Sequence, residues 1–396
     1  MKLRKLEQRE NHRTRALWEL VFSEDTKSFL DYYYYFKARD NEIFVIEEDG
    51  AIRSMLHLNP YMVQMEDKLH LCHYVIAVAT EEDYRRRGYM RKLLCQAMQD
   101  MYDKKEPFTF LMPAAEKIYT PYDFRFVYAQ RQAEDFQRIL CGSGLSGPCA
   151  DWHEKTGEPM DSKNVREAFS DAVLGEAEEI AEFVREHFAK KWQVYAVRDI
   201  QYYQTQIFEQ QSENGGIRLI RVDGELAGLF FYSDEDGLEI REPLYLEGYG
   251  YLFGKAVCEL MGGKEQPVKL YAWEEGEKKV PLIMARILHL PSFLACMKVR
   301  KGEELDCSFA VLDSILPQNS RIYRIQGGEA TEWRVHTKET EDSEGVLTAG
   351  SLASLLFGYH TIEEIAKEEN VILTEHLKKE LGKLQTLERV WLNEIV

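Results

Sequence analysis

Tyr74-Val-Ile-Ala-Val-Ala-Thr-Glu-Glu-Asp-Tyr-Arg-Arg-Arg-Gly-Tyr-Met-Arg91 is the stretch of this chain with the strongest structural signal. Residues 75–80 form an apolar, β-branched run, which predicts a buried strand. After Gly88, apolar residues recur at helical spacing and predict a helix with one buried face. They are Met90, Leu93, Leu94, Ala97, Met98 and Met101. The stretch therefore predicts a strand, an arginine-rich loop and the start of a helix.

A loop that leads into a helix can bind an anion. The first backbone N–H groups of a helix have no partner within the helix, and the helix dipole favours negative charge beside them. Gly88 lets the backbone approach a ligand closely because it has no Cβ. Four arginines add positive charge: Arg85, Arg86, Arg87 and Arg91. A solvated basic turn is the alternative, but the flanking strand and amphipathic helix favour an anion site.

Two segments here, Val78-Ala-Thr80 and Arg85-Arg-Arg-Gly-Tyr-Met90, resemble the acyl-CoA signature of the GNAT acetyltransferases, in the form of the Eis-like (enhanced intracellular survival) branch. In that family the loop amides hold the CoA pyrophosphate, and the strand pairs with the pantetheine arm. Met90 stands where a second small residue is usual, a departure that Eis-like members tolerate. The resemblance implies acetyl-CoA as the co-substrate. Its contacts would be Val78, Ala79, Thr80, Arg85, Arg86, Arg87, Gly88, Tyr89, Met90, Arg91, Ala114 and Ala115.

The composition is that of a globular protein with more than one domain. A chain of 396 residues predicts two to three domains, and 45% hydrophobic residues are ample for their cores. The formal net charge of −18 argues against general nucleic-acid binding, which needs a basic surface. It weakly favours a cationic or amine-bearing substrate.

Cysteine usage and the N-terminus indicate the cytoplasm. The seven cysteines are widely spaced and include no Cys-x-x-Cys pair, as expected of reduced thiols. The first residues lack the apolar segment of a signal peptide, and no apolar run reaches the ~18 residues of a membrane span. The ten histidines show no metal-ligand spacing, so we expect no metal.

The first 145 residues predict a mixed unit of helices and strands around the opening stretch. A helix is predicted over residues 13–22, and strands over 43–46, 51–58, 61–65 and 108–112. The Asp49-Gly50 pair predicts a hairpin turn. Four adjacent tyrosines, residues 32–35, cannot all face a core. They either lie on a half-buried helix with solvated hydroxyls or line an acceptor pocket.

A second set of matching residues follows the strand at 108–112. In the resembling family a short helix there carries a tyrosine, followed at fixed spacing by an aromatic residue, a glycine and another aromatic. Tyr119 matches the tyrosine, while Tyr122 and Phe124 match the two aromatics. Asp123 replaces the glycine, and Asp tolerates left-handed backbone angles, so the turn can be kept. The resemblance implies Tyr119 as the proton donor to the CoA thiolate, and a structural aromatic is the alternative.

The second unit, residues 146–280, follows a predicted linker at 141–165 that is rich in glycine and proline. It repeats the first unit, with a helix over 177–188 and a hairpin of strands around Asp223-Gly224. It has no Arg-x-x-Gly loop, and Tyr245-Leu-Glu-Gly-Tyr-Gly250 is acidic where phosphate would bind. We expect this copy to be catalytically empty and to shape the acceptor side.

The third unit, residues 281–396, places strands first and helices later. Strands are predicted over 309–313, 322–325 and 332–336, and helices over 351–357, 362–368 and 375–387. Met284-Ala-Arg-Ile287 and Gly350-Ser-Leu-Ala-Ser-Leu-Leu356 resemble the sterol-carrier-like domain of Eis-type proteins. The expected fold class is therefore α+β: two tandem GNAT-like domains, the second degenerate, and then a sterol-carrier-like domain.

The end of the chain has an implied role as well. In the Eis-like branch the C-terminal carboxylate enters the first domain's site, so Val396 is the candidate proton acceptor, and a tail that only docks is the alternative. The expected reaction is acetyl transfer from acetyl-CoA to an amine of an aminoglycoside, a polyamine or a lysine side chain. Glu24 and Asp25 could attract such a cation. The alternatives are a CoA sensor without catalysis and a lipid-binding regulatory protein. The resemblance also implies a homo-oligomer, a hexamer.

Overall fold

The computed structural model describes residues 1–133, 166–235, 237–262, 267–338 and 342–394. The first unit contains β1 Lys2–Lys5, α1 Arg15–Val21, α2 Lys27–Tyr32, β2 Glu42–Glu48, β3 Ala51–Met65, β4 Lys68–Thr80, α3 Tyr89–Asp103, β5 Phe108–Leu111, α4 Glu116–Tyr119 and β6 Arg125–Ala133. The second contains β7 Glu167–Asp171, α5 Ala177–His187, β8 Val194–Ala196, α6 Ile200–Ser212, β9 Gly216–Val222, β10 Glu225–Asp234, β11 Leu238–Tyr245, α7 Gly250–Met261 and β12 Val268–Tyr271. The predicted linker at 141–165 lies outside the described residues.

The third unit begins with a strand and ends in a short one. It contains β13 Lys278–Ile287, α8 Leu290–Leu294, β14 Lys298–Val299, β15 Glu304–Leu312, β16 Ile322–Gly328, β17 Arg334–Lys338, β18 Gly345–Thr348, α9 Ala349–Leu356, α10 Ile362–Ile365, β19 Ile372–Leu373, α11 Glu375–Leu381, β20 Leu384–Gln385 and β21 Val390–Trp391. The α+β fold class is confirmed.

One continuous sheet runs through the first two units. Its strands follow the order β1-β2-β3-β4-β5-β13-β6-β12-β11-β10-β9-β7, with β8 paired to β3 and β21 paired to β8. A separate five-stranded sheet, β17-β16-β15-β18-β19, forms in the third unit. The acetyl-CoA signature lies near the middle of the large sheet, on β4 and the loop after it.

The predicted strand, loop and helix are confirmed around Gly88. Strand β4 ends at Thr80, and α3 begins at Tyr89, directly after the glycine. Five of the six apolar side chains of α3 are fully buried: Leu93, Leu94, Ala97, Met98 and Met101. The helical period therefore identified the face of α3 that packs against the sheet.

Residues 51–65 form one strand, β3, where the sequence predicted two strands separated at Pro60. Proline donates no N–H, so it is usually excluded from a strand with neighbours on both sides. Pro60 pairs with His73 of β4, but on its other side β2 begins opposite Leu58 and β8 ends opposite Val63. The proline is tolerated because it lies in the gap between two neighbouring strands.

Strand β13 lies in the sheet of the first unit, although it begins the predicted third unit. It pairs antiparallel with β5 over Met284 to Ile287 and with β6 from Lys278 to Ala285. Strands β5 and β6 are therefore separated by a strand that arrives about 150 residues later in the chain. The boundary at residue 281 stays a prediction about folding units, and the sheet itself is continuous there.

The internal repeat appears in the strand geometry of both units. In β4 an extra residue lies opposite β3, and Ala77 takes a positive φ of 52°. In β11 an extra residue lies opposite β10, and Glu242 takes a φ of 53°. A β-bulge of this kind bends the strand and turns its following edge. Each bulged strand pairs parallel with a short strand, β5 or β12.

The helix predicted over 375–387 was too long. Helix α11 ends at Leu381, and after Gly382 the chain forms β20, which pairs with β14. Leu384 and Leu387 continue the apolar period, but Leu384 is buried as part of a strand. Tertiary pairing therefore overrides the local helical pattern. Within the described ranges, no helix combines the length and the apolar character needed to cross a membrane.

Candidate active site

The centre of the site is a gap in the large sheet where β4 and β5 run apart. These parallel strands share a single paired position, Tyr74 with Phe110. Beyond it the bulge at Ala77 turns β4 away from β5, so Val78 and Ala79 stay beside β3 on one edge and face the gap on the other. A free strand edge of this kind can hydrogen-bond an extended amide chain such as pantetheine.

The loop after β4 presents an uncapped helix N-terminus to the same gap. A 3-10 turn spans Glu82–Tyr84, and the N-cap residue of α3 is Gly88, which has no side chain to cap the first turn. Arg86 and Gly88 both take left-handed backbone angles, with φ of 61° and 76°. These two angles fold the loop back over the helix start, and its amides can therefore receive a diphosphate.

The arginines of the loop have two roles. Arg85 donates to the Thr80 carbonyl at 3.1 Å, and Arg87 donates to the Asp83 carbonyl at 2.9 Å. Both side chains therefore also hold the loop closed. Arg91 lies on α3, with its guanidinium 5.9 Å from the centre of the Tyr122 ring. All four arginines of the loop and helix start are exposed, which leaves their charge available to a phosphate.

The side chains around the loop separate onto the two faces of the sheet. Val78, Tyr89 and Met90 pack with Tyr119 in one apolar cluster beneath α3. Ala79 packs on the opposite face, against α1 and α2. The hydroxyl of Thr80 lies 2.8 Å from that of Ser54. The structure thus brings the predicted acid and part of the predicted CoA contacts together on one face.

Tyr119 lies at the end of α4, just beyond the end of β5. Ala114 and Ala115 precede that short helix, and Ala115 is its N-cap residue. The Tyr119 ring is buried and meets the Phe124 ring edge-on, with ring centres 5.8 Å apart. Burial raises the pKa of the Tyr119 hydroxyl to about 12. The phenol therefore stays protonated at neutral pH, as a proton donor must.

Asp123 adopts the left-handed conformation predicted for the position where the family has glycine. Its φ is 63° and its ψ is 19°. Burial raises the pKa of the Asp123 carboxyl, while Arg286 opposes that rise. The turn after Tyr119 is therefore kept despite the substitution.

A cavity of about 350 Å³ lies on the other side of the bulge. Ile76, Ala77 and Met112 form its floor, so it adjoins the gap between β4 and β5. Its remaining lining residues are Trp18, Phe22, Glu24, Asp25, Thr26, Phe29, Glu213, Glu235 and Arg241. We refer to it as the acidic cavity, because four carboxylates face one arginine.

That arginine compensates only one of the four carboxylates of the acidic cavity, Glu213. Arg241 is already paired with Glu213 at 2.9 Å and with Glu239 at 3.4 Å. Asp25 accepts a hydrogen bond from the Trp18 ring nitrogen at 2.6 Å. Burial raises the pKa of Asp25, and burial also raises the pKa of Glu213. A poorly solvated carboxylate is stabilised in its charged form by a nearby cation, and an amine-bearing acceptor can supply that cation.

Sequence reasoning named Glu24 and Asp25 but missed Glu213, Glu235 and Arg241. These three residues come from the second unit, which we expected to shape the acceptor side without knowing which side chains would do so. No local pattern distinguishes them from other surface charges. Only the packing of the second unit against α2 brings them to the cavity.

Three of the four adjacent tyrosines have hydrogen-bond partners within the protein. Tyr32 donates to Glu209 at 2.5 Å, Tyr33 donates to Asn59 at 3.1 Å, and the Tyr34 hydroxyl lies 2.9 Å from that of Thr14. Tyr35 is exposed. These contacts favour a packing role for the first three tyrosines over a role in lining the acceptor pocket.

The C-terminal tail is docked as far as the structure describes it. Val390–Trp391 pairs with Val194–Ala196, and Glu394 lies 3.3 Å from the guanidinium of the buried Arg198. Burial raises the pKa of Glu394 to about 7. Val396, the predicted proton acceptor, lies outside the described residues, so its position stays a prediction.

A larger cavity, of about 750 Å³, lies at the repeated gap of the second unit. It is lined by Glu242 and Tyr245 of β11 and by residues of all three units. The loop before α7 carries Glu247 and no arginine, so a diphosphate would be repelled there. We therefore place the chemistry at the smaller, first gap.

Comparison with known families supports this placement. Residues 2–127 match the acetyltransferase (GNAT) domain family. The first unit is therefore a GNAT acetyltransferase domain. Residues 290–394 match the sterol carrier protein domain family. A sequence search of curated proteins finds no match.

Solved structures show that the whole acyltransferase chain shares its fold with other proteins. A probable N-acyltransferase from Enterococcus faecalis V583 aligns with a TM-score of 0.80 at 15% identity, covering 100% of this chain and 99% of its own. A GCN5-related N-acetyltransferase from Anabaena variabilis ATCC 29413 gives 0.73 at 14%, covering 99% of both chains. Eis1 from Mycobacterium abscessus gives 0.70 at 12%, covering 100% of both. At these identities the likeness shows the fold.

Proposed function

We propose that this acyltransferase moves the acetyl group of acetyl-CoA to a primary amine of a cationic acceptor, in the manner of the Eis-like branch. The acidic cavity carries this proposal. Its carboxylates adjoin the gap in which the thioester would lie, and its single arginine is already paired. A negative cavity raises the local concentration of a cation and orients it toward the reacting carbon. Aminoglycosides, polyamines and lysine side chains all have this chemistry.

The proposed reaction needs one proton acceptor and one proton donor. The neutral amine nitrogen attacks the thioester carbonyl carbon, the new C–N bond forms, and the C–S bond breaks with its electron pair on sulfur. Tyr119 donates its proton to that sulfur and is reprotonated from solvent. A thiol with a pKa near ~8.5 is a good leaving group, so the phenol of Tyr119 assists the step without being essential to it.

We propose the terminal carboxylate of Val396 as the acceptor of the amine proton. The support is the course of the tail, because Leu392 and Glu394 are buried and Asn393 accepts a hydrogen bond from Gln130 at 2.7 Å. Gln130 lies on β6, in the first unit. A tag that extends the chain beyond Val396 should therefore lower the amine transfer rate, and an unchanged rate would rule out this carboxylate.

The alternative of a CoA sensor without catalysis is weakened by Asp123. Replacement of the family's glycine was the feature that favoured it, because a lost turn would misplace Tyr119. Asp123 takes the required left-handed angles, so that argument no longer applies. The thiol-release experiment described next distinguishes a CoA sensor from an enzyme.

The decisive experiment is release of free thiol from acetyl-CoA with a panel of amines. We expect turnover with at least one of a polyamine, an aminoglycoside and a lysine peptide. Tight binding of acetyl-CoA with no turnover on any amine would replace the enzyme by a sensor. Tyr119→Phe should lower kcat about tenfold to a hundredfold and leave the Kd of acetyl-CoA within twofold. Equal losses in both would mean that Tyr119 only packs.

Charge variants test the acceptor cavity separately. Glu24→Gln and Glu235→Gln should raise the KM of a polycationic acceptor about threefold to tenfold, and salt should mask the effect. Glu363→Gln removes an exposed carboxylate on α10 of the third unit and should change nothing. If Glu363→Gln raises KM as much as the cavity variants, net charge and not the cavity attracts the acceptor.

A further inference from the structure

A buried arginine of β13 connects the Tyr119 turn to the third unit. The Arg286 side chain is fully buried. Its Nε donates to the carbonyl oxygen of Tyr122 at 2.8 Å, and one Nη donates to Asp313 at 2.5 Å. The other Nη donates to the carbonyl of Ile287. One side chain thus joins the turn that follows Tyr119 to the loop that follows β15.

The Asp313 end of this bridge is itself fixed. One carboxylate oxygen accepts the backbone N–H groups of Ile315 and Leu316 at 3.0 and 2.8 Å. The other accepts the side-chain amide of Asn319 at 3.0 Å, and the same amide donates to the Leu288 carbonyl at 2.6 Å. A buried ion pair with its hydrogen-bonding groups satisfied holds one geometry.

A second contact from the third unit reaches the same turn. The Asp123 carboxyl lies near the backbone N–H of Gly350, in the first turn of α9. The Arg125 guanidinium lies against Gly350, so closely that a Cβ there would be 2.8 Å from its central carbon. Arg125 also donates to the carbonyls of Thr120 and Phe124 at 3.3 and 3.0 Å. The carbonyl groups of the turn are therefore held by two arginines.

Apolar packing supports the same connection. Leu316, from the loop that Asp313 organises, is buried in the cluster that contains Tyr119 and Phe124. Gln318 of the same loop donates to Gln99 on α3 at 2.9 Å. The third unit therefore completes the core beneath Tyr119 and also touches the helix whose N-terminus faces CoA.

We propose that Arg286 is a positioning residue for Tyr119, and that the third unit serves the reaction by holding the Tyr119 turn through the Arg286–Asp313 bridge. This inference rests on the proposed function, because the bridge matters for the reaction only if Tyr119 donates a proton. A donor displaced by ~1 Å from the leaving sulfur loses much of its effect. If Arg286 had only a structural role, its replacement would lower the stability of the fold, and its effect on kcat would not depend on Tyr119.

Arg286→Lys separates positioning from charge. Lysine keeps a cation beside Asp313 but cannot also reproduce the Nε hydrogen bond to the Tyr122 carbonyl. We expect kcat to fall about fivefold to tenfold, with the Kd of acetyl-CoA within twofold of the parent. Arg324→Lys is the control, because Arg324 pairs with a carboxylate inside the third unit, away from the Tyr119 turn: it donates to both oxygens of Asp306, at 2.8 and 2.7 Å. It should keep the parent kcat.

A double-mutant cycle identifies the partner through which Arg286 acts. If it acts through Tyr119, Tyr119→Phe with Arg286→Lys should be no slower than Tyr119→Phe alone, within about twofold. Losses that multiply would overturn the proposal. If Arg286→Lys does not fold, Asp313→Asn provides the same cycle, because it keeps an acceptor for Ile315 and Leu316 and removes the charge that pairs with Arg286, together with the acceptor for the Asn319 amide.

Hydrogen exchange gives a readout that needs no turnover. The peptide that covers residues 116–124 should exchange about ten times faster in Arg286→Lys than in Arg324→Lys. Unchanged exchange there overturns the bridge. Faster exchange in a chain that acetylates no amine would support the bridge and reject the proposed function, so the two failures are distinguishable.

Discussion

Gly88 combines a left-handed backbone conformation with a position beside the proposed diphosphate site, and a substitution should affect both. Its φ is 76°, a value that side-chain-bearing residues rarely adopt, and no other atom lies within 4 Å of where a Cβ would be. Valine there should cost about 1–2 kcal/mol of stability from strain. A strained loop would also misalign its amides, so we expect the Kd of acetyl-CoA to rise at least tenfold in calorimetric titration.

Gly302 offers the matched control for that prediction. It is exposed, has a φ of 80°, and is equally free of neighbouring atoms, but it lies in a turn of the third unit. Gly302→Val should cost similar stability and leave acetyl-CoA binding unchanged. Equal loss of binding in both variants would show that strain alone, and not the position of Gly88, is responsible.

At the residue scale, the sequence predicted groups whose neighbours are close in the chain. The Gly88 loop, the start of α3 and the left-handed Asp123 all follow from local sequence. Arg286 and Glu213 could not be assigned, because their partners lie far away in sequence. Arg286 bonds the carbonyl of Tyr122, which is 164 positions earlier. A buried arginine has the same sequence signature as an exposed one.

At the element scale, β13 determines whether the acetyl-CoA gap can form. Ala285 lies in the middle of the sheet and pairs with Phe110 on one side and Arg125 on the other. Ala285→Pro would remove a backbone donor and clash with its neighbours, which should cost about 3 kcal/mol. We expect acetyl-CoA binding to be lost as well, although the substitution lies almost 200 residues beyond Gly88.

The first half of β13 supplies the control. Lys279 is exposed and pairs with Arg131 alone, and the natural Pro281 lies at an irregular position in the same half. Lys279→Pro should therefore cost less than half as much in urea unfolding and keep acetyl-CoA binding. Similar losses in the two variants would contradict a central role for the second half of the strand.

The elements predicted correctly are those with a clear period or a hairpin turn. Helices α3 and α5 and the hairpin of β9 and β10 are examples. Helix α6 was missed because its buried face includes Gln206 and Gln210, which hide the apolar repeat. The position of β13 between β5 and β6 was missed for another reason: the sequence of a strand does not determine which strands become its neighbours in the sheet.

At the scale of the whole molecule, the C-terminal tail contacts both of the first two units. Trp391 lies over the guanidinium of Arg198, 3.7 Å from the ring centre, and Arg198 is also paired with Glu242 at 2.5 Å. Glu394 is the second carboxylate at this arginine. Two buried acids share one cation, so one of them is poorly compensated, and proton uptake should relieve the excess charge.

Glu394 therefore makes stability depend on pH. Burial raises its pKa from 4.5 to about 7, so between these values the folded chain binds a proton that the unfolded chain releases. The resulting stabilisation is complete below pH 4.5 and is lost as the pH rises through 7, by up to about 3 kcal/mol. Glu394→Gln should remove this dependence, whereas Glu388→Gln, at an exposed carboxylate on the same tail, should retain it. Urea unfolding at pH 5, 6, 7 and 8 gives the free energy of unfolding of each variant. If it varies with pH in the same way for the parent and Glu394→Gln, a group other than Glu394 takes up the proton.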